Sequence, residues 1–267
     1  AMIASRTTLA ATLSLWLALG LVAALPQGRL LGSEDATATD FPWVASLRLN
    51  KAHVCSAVII DQSHLLTAAQ CVCDLQPHHH CLCSVAADLL SARVGSINQF
   101  AGGIVAAIKE VVIHPSYGNF MHDLAILKLS EPLTFTERIN KIALPAPIDD
   151  GSEEVAEVPA NGTPVYVSGW GEQLDGSSSY KLQKINLNTL SKPFCELAAG
   201  YGYDSVLCLS HAENEGVCRG DAGGSVVDDE GVLIGVVSFF FGNCGTKYPD
   251  VSTRVAYYLQ WIEDNTQ

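Results

Sequence analysis

Positive charge is scarce in this chain: 15 Lys and Arg stand against 28 Asp and Glu, a formal net charge of −13. Such a surface repels polyanions on average, which excludes nucleic acid as an expected partner. Long hydrophobic runs are also scarce. The one exception is TTLAATLSLWLALGLVAAL, from Thr7 to Leu25, preceded by the single charge of Arg6. No later stretch approaches the roughly 18 apolar residues that span a bilayer. Charged residues make up only 16% of the chain, yet hydrophobic residues reach 48%, which excludes disordered and fibrous classes.

The apolar run ends in Leu-Pro-Gln-Gly-Arg without a basic stop-transfer cluster, and Val22 and Ala24 suit cleavage after Ala24. Residues 1–24 are therefore read as a signal peptide and 25–29 as a short propeptide, the alternative being a membrane anchor. The mature protein is expected to be secreted and extracellular, with no membrane contact. Nine cysteines fit an oxidising compartment, and their odd number leaves at least one without an intramolecular partner. Asn161-Gly162-Thr163 is a glycosylation sequon, weakened by Pro164.

Past residue 40 the chain consists of short, β-branched apolar runs separated by turn residues. HVCSAVII (53–60), IVAAIKEVVI (104–113), LAILKL (124–129), TPVYVSGW (163–170) and VLIGVVSFFF (232–241) are examples. This spacing predicts an all-β sandwich or barrel. One helix is expected at the end, where VAYYLQWIED places Val255, Leu259 and Ile262 on one side. The hydrophilic segment 145–162, with five acids, is the expected connection between two halves.

Seven segments then fall into one order. GRLLGSEDA, HVCSAVIIDQSHLLTAAQC, HDLAILKL, VSGWGE, CRGDAGGSVV, SFFFGNC and YPDVSTRV together resemble the trypsin/chymotrypsin family of serine proteases from Leu30 to the C-terminus. The resemblance implies one peptidase domain over 30–267 made of two six-stranded antiparallel β-barrels, an active-site cleft between them and a C-terminal helix. It also implies disulfides Cys55–Cys71, Cys195–Cys208 and Cys218–Cys244. Cys73, Cys81 and Cys83 remain, in the insertion-like CVCDLQPHHHCLC.

The chain departs from the family at the residues that do the chemistry. In the family a serine attacks the carbonyl, a histidine takes its proton and an aspartate orients the histidine. The matching positions here are Ala222, Gln70 and Asp123. A carboxamide has no useful basicity near neutral pH, and a methyl group is no nucleophile. Loss of either member costs about 10⁶ in turnover in triad proteases. Two nearby groups are candidates for rescue and are read as bystanders: Ser225 as a turn residue, and His122 as a strand-end residue facing away from Asp123. The chain therefore resembles the inactive serine protease homologues familiar among arthropods, and is expected not to be an enzyme.

Other family features survive. The backbone amides of Gly220 and Ala222 match the oxyanion hole. The junction Arg29-Leu30 matches an activation site, after whose cleavage the α-amine of Leu30 pairs with Asp221. That pair implies either a surviving conformational switch or an inherited processing site. At the specificity pocket, Gly216 stands where trypsins have their acid, while Asp250 occupies a position that is typically glycine. Ser238, Phe239 and Phe240 form the entrance. Asp250 either favours Lys or Arg, or is a buried hydrogen-bonded residue behind a pocket closed by phenyl rings, the favoured reading. Arg219-Gly220-Asp221 spells an integrin tripeptide, but Asp221 is expected to be committed inside the fold. His78, His79 and His80 with the neighbouring cysteines are weak metal candidates against a simple disulfide from Cys73 to Cys81 or Cys83. GSINQFAGG (95–103) offers no carboxylate for a calcium loop. No cofactor is expected.

The leading expectation is a non-catalytic binding or regulatory protein, a cascade cofactor or decoy with an unknown protein partner such as a protease or its substrate. The alternatives are a serine-type endopeptidase with atypical or misread active-site residues, and a metal-binding extracellular protein.

Overall fold

In the two-residue turn Asn50-Lys51 both residues have positive φ (50° and 71°), and the flanking Leu49 and Ala52 are paired. This is the primed geometry whose twist matches that of the strands it joins, and it closes the hairpin of β2 (Val44–Leu49) and β3 (Ala52–Ile59). A computed structural model describes residues 32–75, 81–146, 159–173 and 175–267. The signal peptide and propeptide, Arg29, Leu30, His78, His79, His80 and most of the expected 145–162 connection lie outside the described residues.

The first barrel is a closed ring of six strands: β2, β3, β4 (His64–Thr67), β9 (Ala125–Leu129), β8 (Ile104–Ile113) and β7 (Leu90–Val94). Alternation drives the closure. In β7 every second residue is buried, and Leu90, Ala92 and Val94 join Leu47, Ala57, Ile59, Leu65 and Leu127 inside. Six-stranded closure leaves no open edge for intermolecular pairing. β5 (Cys73–Leu75) and β6 (Cys81–Ser84) form a separate hairpin.

The second barrel contains β10 (Pro164–Gly169), β11 (Gln183–Leu190), β12 (Val206–Ser210), β13 (Ser225–Val227), β14 (Leu233–Phe239) and β15 (Asp250–Arg254), closed by the β11–β12 pairing. The short β1 (Glu34–Asp35) adds to β11. The two-barrel architecture is as the resemblance implied. A third apolar cluster, with Val58, Leu66 and Ile126 from one barrel and Val227, Leu233 and Val236 from the other, joins the two. Val255 and Ile262 from the chain end are buried in it, so the C-terminal element seals the junction.

That element is a 3₁₀ turn, Val255–Tyr258, leading into α2 (Leu259–Thr266). An earlier helix, α1 (Lys192–Ala199), was not expected from the sequence. Pro193 in its first turn and Gly200 at its end in the left-handed region (φ 74°) are the local signals for it. Its Phe194 and Leu197 are exposed, so apolar periodicity toward the core is weak. Among the described residues no helix is long and apolar enough to cross a membrane.

The three expected disulfides are present: Cys55–Cys71, Cys195–Cys208 and Cys218–Cys244. Cys73 is also disulfide-bonded. In the 95–103 loop, the Arg93 guanidinium donates to the carbonyls of Gly102 and Phe100, the latter at 3.2 Å. A cation of the chain itself thus ties this loop.

Candidate active-site cleft

Gln70 lies in a 3₁₀ turn (Ala69–Cys71) just after β4, beside the junction of the barrels. Its side-chain nitrogen donates to Asp123 Oδ2 at 2.7 Å and to the Ser238 carbonyl at 2.8 Å. Its backbone nitrogen donates to Asp123 Oδ1 at 2.9 Å. Ser238 Oγ also donates to Asp123 Oδ2 at 2.5 Å, and the backbone of Ala69 adds a further hydrogen bond to this carboxylate. Asp123 is fully buried, and burial raises its pKa against the lowering effect of these donors. One carboxylate is therefore held from β4's turn on one side and β14 on the other. Both amide hydrogens of Gln70 are committed, which leaves its carbonyl oxygen as the free end.

Ala222 packs its methyl against the first barrel's core, and its carbonyl accepts from Ser56 N at 2.8 Å. Neither rescue candidate stands free. Ser225 opens β13 and is not a turn residue; it is fully buried, and its hydroxyl accepts from the Trp43 indole at 3.2 Å. His122 lies in a turn and not at a strand end, with φ 53° in a segment where Asn119 and Phe120 are also left-handed. That reversal swings its ring onto His114, centroids 5.1 Å apart, and within 3.0 Å of Tyr258 Oη.

The turn before Ala222 is set by backbone geometry. Arg219 O accepts from Glu172 N at 2.7 Å, and Asp221 O accepts from Gly224 N at 2.9 Å. A trans peptide points its N–H opposite to its C=O, so the amides of Gly220 and Ala222 are turned away from those partners. Neither donates to an acceptor among the described residues. Gly220 has φ +97°, the left-handed region, where a side chain is strained. Its carbonyl accepts from His53 Nε2 at 3.2 Å, while His53 Nδ1 meets Ser46 Oγ at 2.8 Å.

Burial holds His53 down to a pKa of about 4, against the raising effect of the Gly220 carbonyl. The unfolded chain takes this proton near the ordinary 6.5, the folded one only near 4. Stability is therefore intact above pH 6.5 and lost as pH falls toward 4, by about 3 kcal/mol in all. Denaturant melts of the wild type and His53→Gln at pH 7 and 4.5 should show a smaller acid loss in the variant. Equal losses would remove His53 as the cause.

Asp221 is fully buried, accepting from Gly171 N at 2.8 Å and Cys218 N at 2.9 Å. A Cβ at Gly169 or Gly171 would lie 2.0 or 2.2 Å from its carboxylate oxygens, so the SGWG stretch is glycine where this carboxylate sits. Burial pushes its pKa up to about 7, and the nearby Asp250 adds to the rise. Arg219 is exposed and pairs with Glu172 at 3.1 Å, so the tripeptide is divided between surface and interior.

Gly216 has φ +112°, and a Cβ there would lie 2.5 Å from Asp250 Oδ2. Asp250 is buried, its Oδ2 accepting from Val217 N at 2.7 Å. The structure thus has the buried, hydrogen-bonded Asp250 of the second sequence reading. Phe240 packs against the cluster containing Val217, and Phe239 packs among Phe120, Tyr201 and Phe241. A residue the sequence reading missed joins them: the His211 side chain, 3.6 Å from Asp250 Oδ1. The two are 39 positions apart, and only the β12–β15 pairing brings them together.

A family model described as Trypsin matches residues 30–262. Trypsin alpha of Drosophila melanogaster is 36% identical over 249 residues, 89% of this chain and 88% of that protein. Trypsin beta of Drosophila erecta is 35% identical over 252 residues, 90% of each chain. Trypsin alpha-4 of Lucilia cuprina is 31% identical over 243 residues, 88% of this chain and 86% of its own. The solved structure of neuropsin, a serine protease expressed in the limbic system of mouse brain, covers 88% of this chain and 99% of its own with a TM-score of 0.73. At 22% identity it speaks for the fold alone. The relatives named trypsins overturn the expectation that the chain is not an enzyme, and point instead to a protease. With two barrels, the three disulfides at family positions and a family match over nearly all of its described length, the chain belongs to the trypsin-like serine protease family.

Proposed function

We propose that the protein acts on polypeptides in the cleft between its barrels, as a secreted endopeptidase of the trypsin-like family with an atypical active-site composition. The observation that carries this reading is the pair of unengaged amides at Gly220 and Ala222, turned away from their neighbours by the carbonyls of Arg219 and Asp221. Such a pair suits a carbonyl oxygen that gains negative charge in the transition state. Relatives named trypsins support the reaction class, and the disulfides fit an oxidising compartment. Ala222 has no hydroxyl, so no acyl-enzyme forms on it. Scission here would have water add to a carbonyl polarised by the two amides, the Gln70 oxygen accepting a hydrogen bond from that water without taking its proton, which passes to the leaving amine as the C–N bond breaks.

One observation favours a second reading, in which the cleft holds a polypeptide as a cascade cofactor or decoy. Gln70 gives both amide hydrogens to Asp123 and Ser238, an arrangement that satisfies the buried carboxylate and moves no proton. Hydrolysis of a peptide ester by pure protein, with labelling by an active-site phosphonate, separates the two. Turnover without phosphonate labelling, competed by a peptide that fills the cleft, is the result expected of the endopeptidase reading. Saturable peptide binding without turnover supports the second. Absence of both binding and turnover would overturn each.

A further inference from the structure

His211 and Asp250 form a buried pair beneath Gly216, with only 2% of each side chain exposed. Nδ1 of His211 faces the carbonyl of Ala212 at 2.9 Å. A carbonyl only accepts, so Nδ1 must carry a hydrogen. Nε2 then faces Asp250 Oδ1 at 3.6 Å and has no hydrogen-bond partner. If Nε2 and the carboxylate were both unprotonated, two lone pairs would oppose each other in a dry site. A proton between them, on either group, removes the conflict and leaves the pair with no net charge.

Burial works against a charge on His211, but the facing Asp250 carboxylate and the carbonyls of Ala212 and Tyr248 outweigh it and raise its pKa above the ordinary value. Burial likewise raises Asp250, against the lowering effect of His211 and Val217 N. Asp221 is felt at this floor too, its carboxyl raised by burial first and by Asp250 in addition. A floor carrying two carboxyls and no cation would be strongly unfavourable, and His211 relieves it.

We propose that His211 determines which ligand side chains this pocket accepts: by cancelling Asp250 it turns an acidic floor into a neutral polar one. The pocket then selects a neutral ligand side chain in place of Lys or Arg. This rests on the reading that the cleft binds polypeptides.

Benzamide and benzamidine have nearly the same shape and differ in charge, so their ratio of dissociation constants, measured by calorimetry near pH 7, reports the charge of the floor. The wild type is expected to bind benzamide at least tenfold more tightly than benzamidine, and His211→Gln to reverse that preference. Asp250→Asn, a second variant that keeps the histidine, should leave the benzamide preference in place. Wild-type preference for benzamidine would overturn the proposal, as would an unchanged ratio in His211→Gln. If Phe240 blocks both compounds, the ratios are read in a Phe240→Gly background. No binding in that background counts against the pocket as a ligand site. Binding with a ratio insensitive to position 211 counts against His211 alone.

Discussion

Gln70→His combined with Ala222→Ser is expected to raise peptide-ester hydrolysis by about 10⁴ to 10⁶, the scale on which triad members act as a unit. The parts that receive the new side chains are in place. Asp123 already accepts at Oδ1 from the backbone of residue 70 and at Oδ2 from Ser238. An imidazole at position 70 would take over the Oδ2 contact that the carboxamide now makes and be oriented by it. A serine at 222 would stand beside the two unengaged amides. Either substitution alone should yield little, since a base without a nucleophile, or the reverse, completes no proton transfer. A small acyl ester is the right substrate, because it does not depend on the pocket behind Phe240. A folded double variant no faster than the wild type would show that this cleft lacks the geometry proposed for it.

Cleavage after Arg29 is expected to stabilise the protein most between about pH 7 and 8, where Asp221 is ionised and a free α-amine is still protonated. Asp221 ionises in the folded chain near 7, against 3.8 for an ordinary aspartate, because it is buried with two amide donors and no cation among the described residues. A carboxyl raised in this way leaves stability intact below about pH 4 and removes it as pH rises through 7. Between pH 5 and 7 the loss is about 2 kcal/mol. A free α-amine at Leu30, protonated below its ordinary pKa of about 8, would pair with Asp221 and abolish that loss. Denaturant melts of the uncut Arg29→Gln form and the form beginning at Leu30, at pH 5 and 7.5, measure it. Asp221→Asn in both forms isolates this carboxyl from the opposite slope of His53. The uncut form should weaken on going to pH 7.5 and the cut form should not. Equal slopes would mean that Leu30 and Asp221 do not pair.

Much of this was legible in the sequence because β-structure and disulfides are written locally. The run 104–113 is one strand from end to end, and cysteines at family positions pair as the resemblance implied. The positions of Gln70, Asp123 and Ala222 follow from motifs that each span a few residues. What escaped depends on distant pairing or on backbone sign. His211 acquires meaning only through the β12–β15 register. Ser225 sits in a Gly-rich stretch that reads as a turn, yet pairs with Val236 in a strand. His122 adjoins an apolar strand, and nothing in its type announces the left-handed backbone that carries it onto Tyr258. The expectation concerning enzymatic activity rested on two side chains, and the family relationship over nine-tenths of the chain weighed the other way.

Asp123 takes hydrogen bonds from residue 70 beside one barrel and from Ser238 on β14 of the other, and Trp43 reaches Ser225 across the same seam. A ligand therefore meets walls that are already fastened to each other, and settling into the groove freezes little of the protein's own motion. Most of the entropic cost of association falls on the ligand. Short, rigid or cyclised peptides should consequently gain far more affinity from their stiffness here than they would on a hinged receptor.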